Sequence, residues 1–141
     1  MKTARELYPS YAKDEDDDGS FYGPGDYQSM LKEFGSILIQ VDDHDWQGDS
    51  RVLYSNEKGQ FGWLQFGWGS CSGCDRLQAC NNMKEVQDVM DGLYESIQWF
   101  DSRNEAFEFF KNHDWEGDYS WHGEEQKQFI KEVLAYLEKL P

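Results

Sequence analysis

The hydrophobic positions of the chain follow two periods, one typical of strands and one typical of helices. Three short segments have the patterns expected of strands. Residues 37–41 alternate between two faces, residues 52–54 form a short apolar run, and residues 61–68 place Leu64, Phe66 and Trp68 on one face. Alternation over such lengths is typical of half-buried strands. Residues 56–59, Asn-Glu-Lys-Gly, form a turn signal between the second and third segments, which favours an antiparallel connection. The pattern therefore predicts a short antiparallel sheet of three strands.

The rest of the chain has apolar residues spaced by three and four, as in amphipathic helices. One stripe consists of Met83, Val86, Met90, Leu93, Ile97 and Phe100, and a C-terminal stripe consists of Phe129, Ile130, Val133, Leu134 and Leu137. Asn82 and Ser102 are each followed by Glu three residues later, the signature of a capped helix start. A shorter helix is predicted over residues 27–34, between Asp26 and Gly35. We therefore expect an α+β fold, with three to four helices packed against the sheet in a single domain over residues 26–141.

The first 25 residues have a different character. Residues 14–18 are all Asp or Glu, and a Gly/Pro-rich stretch follows at residues 23–25. Like charges in a block repel one another and oppose burial. Residues 1–25 are therefore predicted to form a flexible acidic arm.

The charge balance limits the partners. The chain has 28 Asp and Glu against 13 Lys and Arg, a formal net charge of −15. Such a surface repels nucleic-acid phosphates and anionic lipids. A protein with a basic surface or cleft is the expected partner, although solubility alone also explains many acidic surfaces. The N-terminal residues contain no apolar signal segment, and we expect a cytoplasmic protein.

A six-residue pattern occurs twice, as His-Asp-Trp-Gln-Gly-Asp at residues 44–49 and His-Asp-Trp-Glu-Gly-Asp at residues 113–118. Neither copy follows a helical or strand period, so both are predicted loops. Exposed Trp with flanking carboxylates is typical of a surface that binds a basic protein. The candidate partner-binding residues are Asp45, Trp46, Asp49, Asp114, Trp115, Asp118 and Trp121. A structural interpretation, with each Trp anchoring its loop to the core, is favoured for the repeat itself and stays open beside the binding one.

Three cysteines directly follow the third predicted strand. Cys71 and Cys74 are spaced by two residues, and Cys80 follows. This spacing suits two ligands of a zinc ion, with Cys80 and His122 or Asp75 completing the site. Two further interpretations remain open, a thiol-redox pair and small packing residues at a tight turn. A thioredoxin-type fold is not expected, because no proline lies where that fold requires one.

The run Phe-Gly-Trp-Gly-Ser-Cys-Ser-Gly-Cys-Asp at residues 66–75 resembles a stretch seen in small uncharacterised bacterial and bacteriophage proteins. This resemblance implies no activity, but it favours an accessory protein of the phage type.

Calcium is a third hypothesis. Residues 14–19, 43–48 and 112–117 each match the first half of an EF-hand loop, but all lack the glutamate expected at position twelve. Catalysis is not expected, because a Cys71 or Cys74 pair with His122 and Asp118 has no supporting motif. The leading hypothesis is an acidic accessory or inhibitory protein that binds a basic site on a larger partner. The alternative is a small zinc or thiol-redox protein that uses the cysteine cluster.

Overall fold

The computed structural model describes residues 1–18, 21–71, 73–115 and 123–141. These residues fall into two compact units, each built from two stretches of the chain. Unit 1 contains Met1–Phe34 and Trp68–Ser96, and unit 2 contains Gly35–Gly67 and Ile97–Pro141. The grouping of residues 26–141 into one domain stays a prediction.

The α+β class is confirmed, with more elements than the sequence predicted. The described residues contain four strands and six helices, against an expected three strands and three to four helices. In chain order the elements are α1 (Ala4–Leu7), α2 (Pro9–Asp18), α3 (Gln28–Leu31), β1 (Ser36–Asp42), β2 (Gly48–Ser55), β3 (Phe61–Trp68), α4 (Met83–Glu95), β4 (Gln98–Phe100), α5 (Arg103–Asn112) and α6 (Gly123–Lys139).

The strands form one sheet in the order β1-β2-β3-β4. β1 pairs antiparallel with β2, with Ile37 opposite Tyr54, and β3 pairs antiparallel with β4, with Phe61 opposite Phe100. The predicted bounds of β3 are confirmed, and its Leu64 and Phe66 lie on the buried face as their alternation indicates.

The fourth strand was missed because its residues continue a helical spacing. The stripe from Met83 to Phe100 predicted one helix, but α4 ends at Glu95, where the Ser96 N–H donates to the carbonyls of Gly92 and Leu93. No Gly or Pro marks this end in the sequence. The three residues of β4 instead pair with β3, which gives their backbone groups partners that periodicity alone does not reveal.

The predicted helix starts at Asn82 and Ser102 are confirmed. Each side chain accepts a hydrogen bond from the backbone N–H three residues later, that of Glu85 and of Glu105. These caps satisfy N–H groups that have no partner within the helix. The predicted helix over 27–34 is shorter than expected, since α3 covers only Gln28–Leu31.

Unit 2 is built around an aromatic and aliphatic core from β1, β2, β4, α5 and α6. Its buried members are Val41, Leu53, Phe100, Ala106, Phe110, Phe129, Val133 and Leu137. The ring centroids of Phe100 and Phe109 lie 5.0 Å apart, and Phe110 contacts Phe129 edge to face at 6.1 Å. The C-terminal stripe predicted for α6 supplies three of these residues.

An ion pair is buried in unit 2. Arg51 on β2 has no exposed surface, and its Nη1 donates to Oδ1 of Asp43 at 2.8 Å. Its Nε donates to Oε1 of Gln126 on α6 at 2.5 Å. A guanidinium removed from water requires such partners, because desolvating an unpaired charge costs several kcal/mol.

The N-terminal residues of unit 1 are helical and partly buried. Ala4, Tyr8 and Ala12 are spaced by four, and all three are at most 9% exposed. The Tyr8 hydroxyl donates to the carbonyl of Asp26 at 2.6 Å. Glu15 forms an ion pair with Arg5 and accepts the backbone N–H of Met83 at the start of α4.

This arrangement differs from the predicted flexible arm over residues 1–25. The acidic run dominated that prediction, but α2 directs successive side chains of this run, such as those of Asp14 and Glu15, to different sides of the helix axis, while Ala4, Tyr8 and Ala12 are buried. Glu15 also carries a negative charge to the N-terminal end of α4, where the helix dipole favours it. The flexibility of the segment itself stays a prediction.

We expect Tyr8→Ala to lower the free energy of unfolding by about 3 kcal/mol, because it removes a buried ring and leaves a cavity. The matched control is Tyr22→Ala, since the Tyr22 side chain is 82% exposed. The control should change stability by less than about 0.5 kcal/mol. Urea unfolding of both variants measures the difference. A loss of stability in Tyr8→Ala as small as that in the control would show that the packing of Tyr8 does not contribute to stability.

We expect Asp43→Asn to lower the free energy of unfolding by about 3 kcal/mol, because Arg51 would stay buried without a counter-charge. Asp45→Asn is the control, as it removes the same charge from an exposed position in the same loop. The control should lie within about 0.5 kcal/mol of the wild type. A small effect of both substitutions in chemical denaturation would contradict a stabilising role for the pair.

Candidate functional site

The first copy of the repeated hexapeptide forms the connection between β1 and β2. His44, Asp45, Trp46 and Gln47 are all exposed, and Trp46 has 81% of its surface accessible. The Trp46 backbone N–H donates to Oδ1 of Asp45 at 2.7 Å. The loop predicted from the sequence is therefore present, and its indole does not anchor it to the core.

The base of this loop is fixed by Asp43. Its backbone N–H donates to the carbonyl of Asp49 at 2.9 Å, and its Oδ2 accepts the Asp49 N–H at 2.7 Å. A Cβ atom on Gly48 would lie 2.6 Å from the Cβ of Asp43, so this position requires glycine. The other oxygen of Asp43 holds Arg51, so the buried ion pair and the loop share one carboxylate.

Asp49 has a structural partner as well. Its Oδ2 accepts a hydrogen bond from Nε2 of Gln65 on β3 at 3.1 Å. Asp49 is half-buried at the base of the loop, whereas Asp45 is exposed at its tip. Of the residues predicted to bind a partner in this loop, Trp46 and Asp45 are therefore the ones that face outward.

The second copy of the hexapeptide behaves differently. Trp115 is half-buried, and its Nε1 donates to the carbonyl of Phe110 at 2.9 Å. Its ring stacks on Phe110 with centroids 5.5 Å apart and meets Trp63 edge to face at 5.2 Å. The Trp115 side chain is thus packed against the core, as the structural interpretation of the hexapeptides predicts. Asp114 beside it is exposed.

Three predicted site residues lie outside the described residues. These are Asp118 and Trp121, predicted to bind a partner, and His122, predicted to bind a metal. The hypothetical pairing of a cysteine with His122 and Asp118 depends on the same undescribed segment.

The second candidate site is the cysteine loop in unit 1. The sulfurs of Cys71 and Cys74 lie 2.7 Å apart, and both residues are exposed and free. The Cys74 N–H donates to the Cys71 carbonyl at 3.0 Å, which closes a turn around the pair. The Cys71 N–H in turn donates to the Cys74 sulfur at 3.0 Å. Packing residues at a tight turn would be buried, so that interpretation does not fit this pair.

These hydrogen bonds affect the acidity of one thiol. Donation from the Cys71 side chain, followed by backbone donation, holds the pKa of Cys74 below its ordinary value. A thiolate is stabilised wherever donors converge on the sulfur. More of Cys74 is therefore thiolate at neutral pH than of an ordinary cysteine.

A buried carboxylate organises the loop that carries the two thiols. Asp75 is 4% exposed and accepts four hydrogen bonds at 2.8 to 3.0 Å, from the N–H groups of Gly69, Leu77 and Gln78 and from the Tyr27 hydroxyl. Burial, reinforced by the charge of Asp75, raises the pKa of Tyr27 to about 12, so the hydroxyl stays protonated and can donate at neutral pH. Gly69 is required here, because a Cβ atom would lie 2.5 Å from the Cys74 carbonyl oxygen.

Cys80 is in a different environment. It is 6% exposed, and its sulfur donates to the carbonyl of Arg76 at 3.3 Å. Burial raises the pKa of its thiol to about 11, with Glu85 adding to the effect. Among the described residues, no group of three His, Cys, Asp or Glu side chains could hold a metal ion. The predicted zinc site from Cys71, Cys74, Cys80 and His122 stays a prediction.

Two of the three calcium-type runs have other roles. Asp14 and Asp16 lie on α2, where residues two apart do not face each other. Asp43 is buried against Arg51 rather than directed into a cation loop. The third run continues into residues 116 and 117, which the structure does not describe.

The structural roles of Asp43 and Asp75 are not predictable from their positions in the sequence. Asp75 was considered only as an additional metal ligand, and Asp43 only as a calcium ligand. Arg51 gave the one available signal, a charged residue directly before the apolar run 52–54. Nothing in the sequence identifies the partners of Arg51, and one of them, Gln126, lies 75 residues further along the chain.

No family model, curated protein or solved structure among those compared matches this chain. Within the part of the chain that the structure describes, no helix is long and apolar enough to cross a membrane. The function therefore has to be inferred from the two loops themselves.

We expect Trp115→Ala to lower the free energy of unfolding by about 3 kcal/mol, since its ring is packed against four other aromatic rings in unit 2. Trp46→Ala makes the same chemical change in the other copy of the hexapeptide and should alter stability by less than about 0.5 kcal/mol. Thermal and urea unfolding compare the two. Equal losses would show that Trp46 is also a structural anchor.

Proposed function

We propose that the protein is an acidic accessory or inhibitory protein that binds a basic surface or cleft on a larger protein, with Trp46 as its anchor. The supporting observation is the 81% exposure of Trp46 at the tip of a loop whose base is held by a buried ion pair. Exposing a large indole to water on a fixed loop is unfavourable in isolation. Burial against a partner recovers that free energy.

Preorganisation supports Trp46 as an anchor. Trp is enriched among the few residues that dominate binding energies, because it buries a large rigid surface. Asp43 fixes the first and last residues of the loop, so association has less conformational freedom to remove. The four residues between them, 44–47, are all exposed and available for contact.

The charge of the chain supports a basic partner. A net charge of −15 steers a positively charged surface toward the protein over distances beyond direct contact. Asp45 at the loop tip places a carboxylate beside the indole. In a cleft that normally binds nucleic acid, carboxylates of this kind take the place of phosphates and an indole takes the place of a base. A protein that occupies such a cleft in this way would inhibit nucleic-acid binding, which is why an inhibitory role is included in the proposal.

The proposed contact set is narrower than the one derived from the sequence. Trp46 and Asp45 form its centre, and Asp49 supports the loop from its base. Trp115 stabilises unit 2, and Asp114 beside it remains an exposed candidate. Asp118 and Trp121 remain candidates from the sequence alone.

We expect Trp46→Ala to weaken partner binding by at least a factor of about ten. Truncating a central Trp removes about 2 kcal/mol or more of binding free energy. The tagged wild type and variant are used as baits in an extract of the source cells, and the captured protein is then purified and its affinity measured by calorimetry. Tyr22→Ala is the control, since it removes an equally exposed aromatic ring from unit 1.

The rate at which the partner associates must also depend on salt concentration. Its association rate should fall roughly tenfold between about 50 and 500 mM salt, because screening shortens the range of steering. Asp45→Asn should slow association at low salt and leave the fold intact. A captured protein that binds Trp46→Ala as tightly as the wild type, or binds independently of salt, would contradict the proposal.

A further inference from the structure

The geometry of Cys71 and Cys74 satisfies the requirements for closing a disulfide. The hydrogen bond from the Cys74 N–H to the Cys71 carbonyl closes a four-residue turn. A turn of this kind holds its first and last Cα atoms within about 7 Å. Disulfides need Cα atoms about 4.4–6.8 Å apart. With their sulfurs already 2.7 Å apart, the two side chains need little movement to form a bond.

The surrounding loop favours this geometry in the reduced protein. Asp75 directly follows Cys74 and binds backbone N–H groups on both sides of the pair, those of Gly69 and of Leu77 and Gln78. The Gln78 side chain also donates to the carbonyl of Gly69 at 3.2 Å. A loop closed at its base in this way restricts the separation of its two thiols. Both sulfurs face solvent, so an exchanging reagent can reach them.

We propose that Cys71 and Cys74 form a reversible dithiol–disulfide site that exchanges with disulfide-bonded thiol compounds. The Cys74 thiolate attacks one sulfur of the substrate disulfide, and a mixed disulfide forms as the other substrate sulfur leaves as a thiolate and takes up a proton. The thiolate of Cys71 then attacks the Cys74 sulfur and releases the second substrate thiol. Two protein thiols are oxidised to one disulfide, and one substrate disulfide is reduced to two thiols.

Cys80 provides an internal control for this site. It is buried, its sulfur donates to the Arg76 carbonyl, and its thiolate is disfavoured. A site that required all three cysteines would need Cys80 to leave this position. The disulfide requires only Cys71 and Cys74, which the turn has already brought together.

The first experiment uses the full chain with Cys80→Ser, which leaves Cys71 and Cys74 as its two thiols. The protein is incubated with glutathione disulfide, quenched with iodoacetamide and analysed by intact mass. The expected product has lost two hydrogen atoms and takes up no iodoacetamide, and dithiothreitol restores both thiols. Two free thiols after incubation, or a stable glutathione adduct, would overturn the proposal.

The second experiment assigns the attacking sulfur. Cys71→Ser and Cys74→Ser are made separately in the Cys80→Ser background, and serine keeps a hydrogen-bond donor at the substituted position. At neutral pH the Cys74 thiol of the first variant should react with glutathione disulfide at least about fivefold faster than the Cys71 thiol of the second. Its rate should also level off at a lower pH than that of an ordinary cysteine, because hydrogen bonds to its sulfur hold the pKa of Cys74 down. Faster reaction of Cys71 would overturn the assigned order of attack.

A third experiment separates redox chemistry from metal binding. The reduced wild-type protein is mixed with zinc ions, dialysed against a chelator and analysed for metal content and free thiols. Two reactive thiols, those of Cys71 and Cys74, and no retained zinc are expected, since Cys80 is buried and two sulfurs leave half of a tetrahedral zinc unfilled. Zinc retained in a one-to-one ratio with protected thiols would overturn the disulfide assignment.

Discussion

The burial of Arg51 is the constraint on which the exposed loop of unit 2 depends. A guanidinium without access to water must be neutralised, and Asp43 provides the opposite charge at 2.8 Å. The second oxygen of Asp43 then binds the Asp49 N–H, and the space beside it accepts only glycine at position 48. Residues 44–47 lie between the two ends of the loop that Asp43 joins, and all four are exposed to solvent. The exposure of Trp46 therefore follows from an ion pair that it does not contact.

The two hexapeptides have nearly the same sequence, but their Trp residues differ in exposure. Both contain His-Asp-Trp and Gly-Asp, and the first forms a loop, as its lack of periodicity predicted. The first lies between two strands whose ends are held by Asp43, which leaves its Trp exposed. The second follows α5, where the rings of Phe110 and Trp63 offer an apolar surface that covers Trp115. The difference comes from the elements on each side, which the six residues do not encode.

Features governed by neighbouring residues could be predicted from the sequence, and those governed by distant pairing could not. The caps at Asn82 and Ser102 and the bounds of β3 depend on contacts within a few residues. β4 was missed because its strand character comes from pairing with β3, about forty residues earlier along the chain. The helices over residues 4–18 were missed because the acidic run outweighed three apolar residues spaced by four. The cysteine pair was correctly located in a turn after β3, but the separate environment of Cys80 depends on burial.

Asp43 and Asp75 are the two fully buried carboxylates among the described residues of a chain with 28 acidic side chains. Both oxygens of each carboxylate accept hydrogen bonds, and each carboxylate closes a loop that exposes a chemically distinctive group, an indole in one case and a dithiol in the other. The excess of exposed acidic side chains determines the long-range electrostatic field, whereas Asp43 and Asp75 determine which groups their loops place at the surface. The two loops belong to different compact units and share no scaffold residue. A substitution that abolishes binding through Trp46 therefore leaves the scaffold of the dithiol intact, so the two proposed functions can be tested, and can fail, independently.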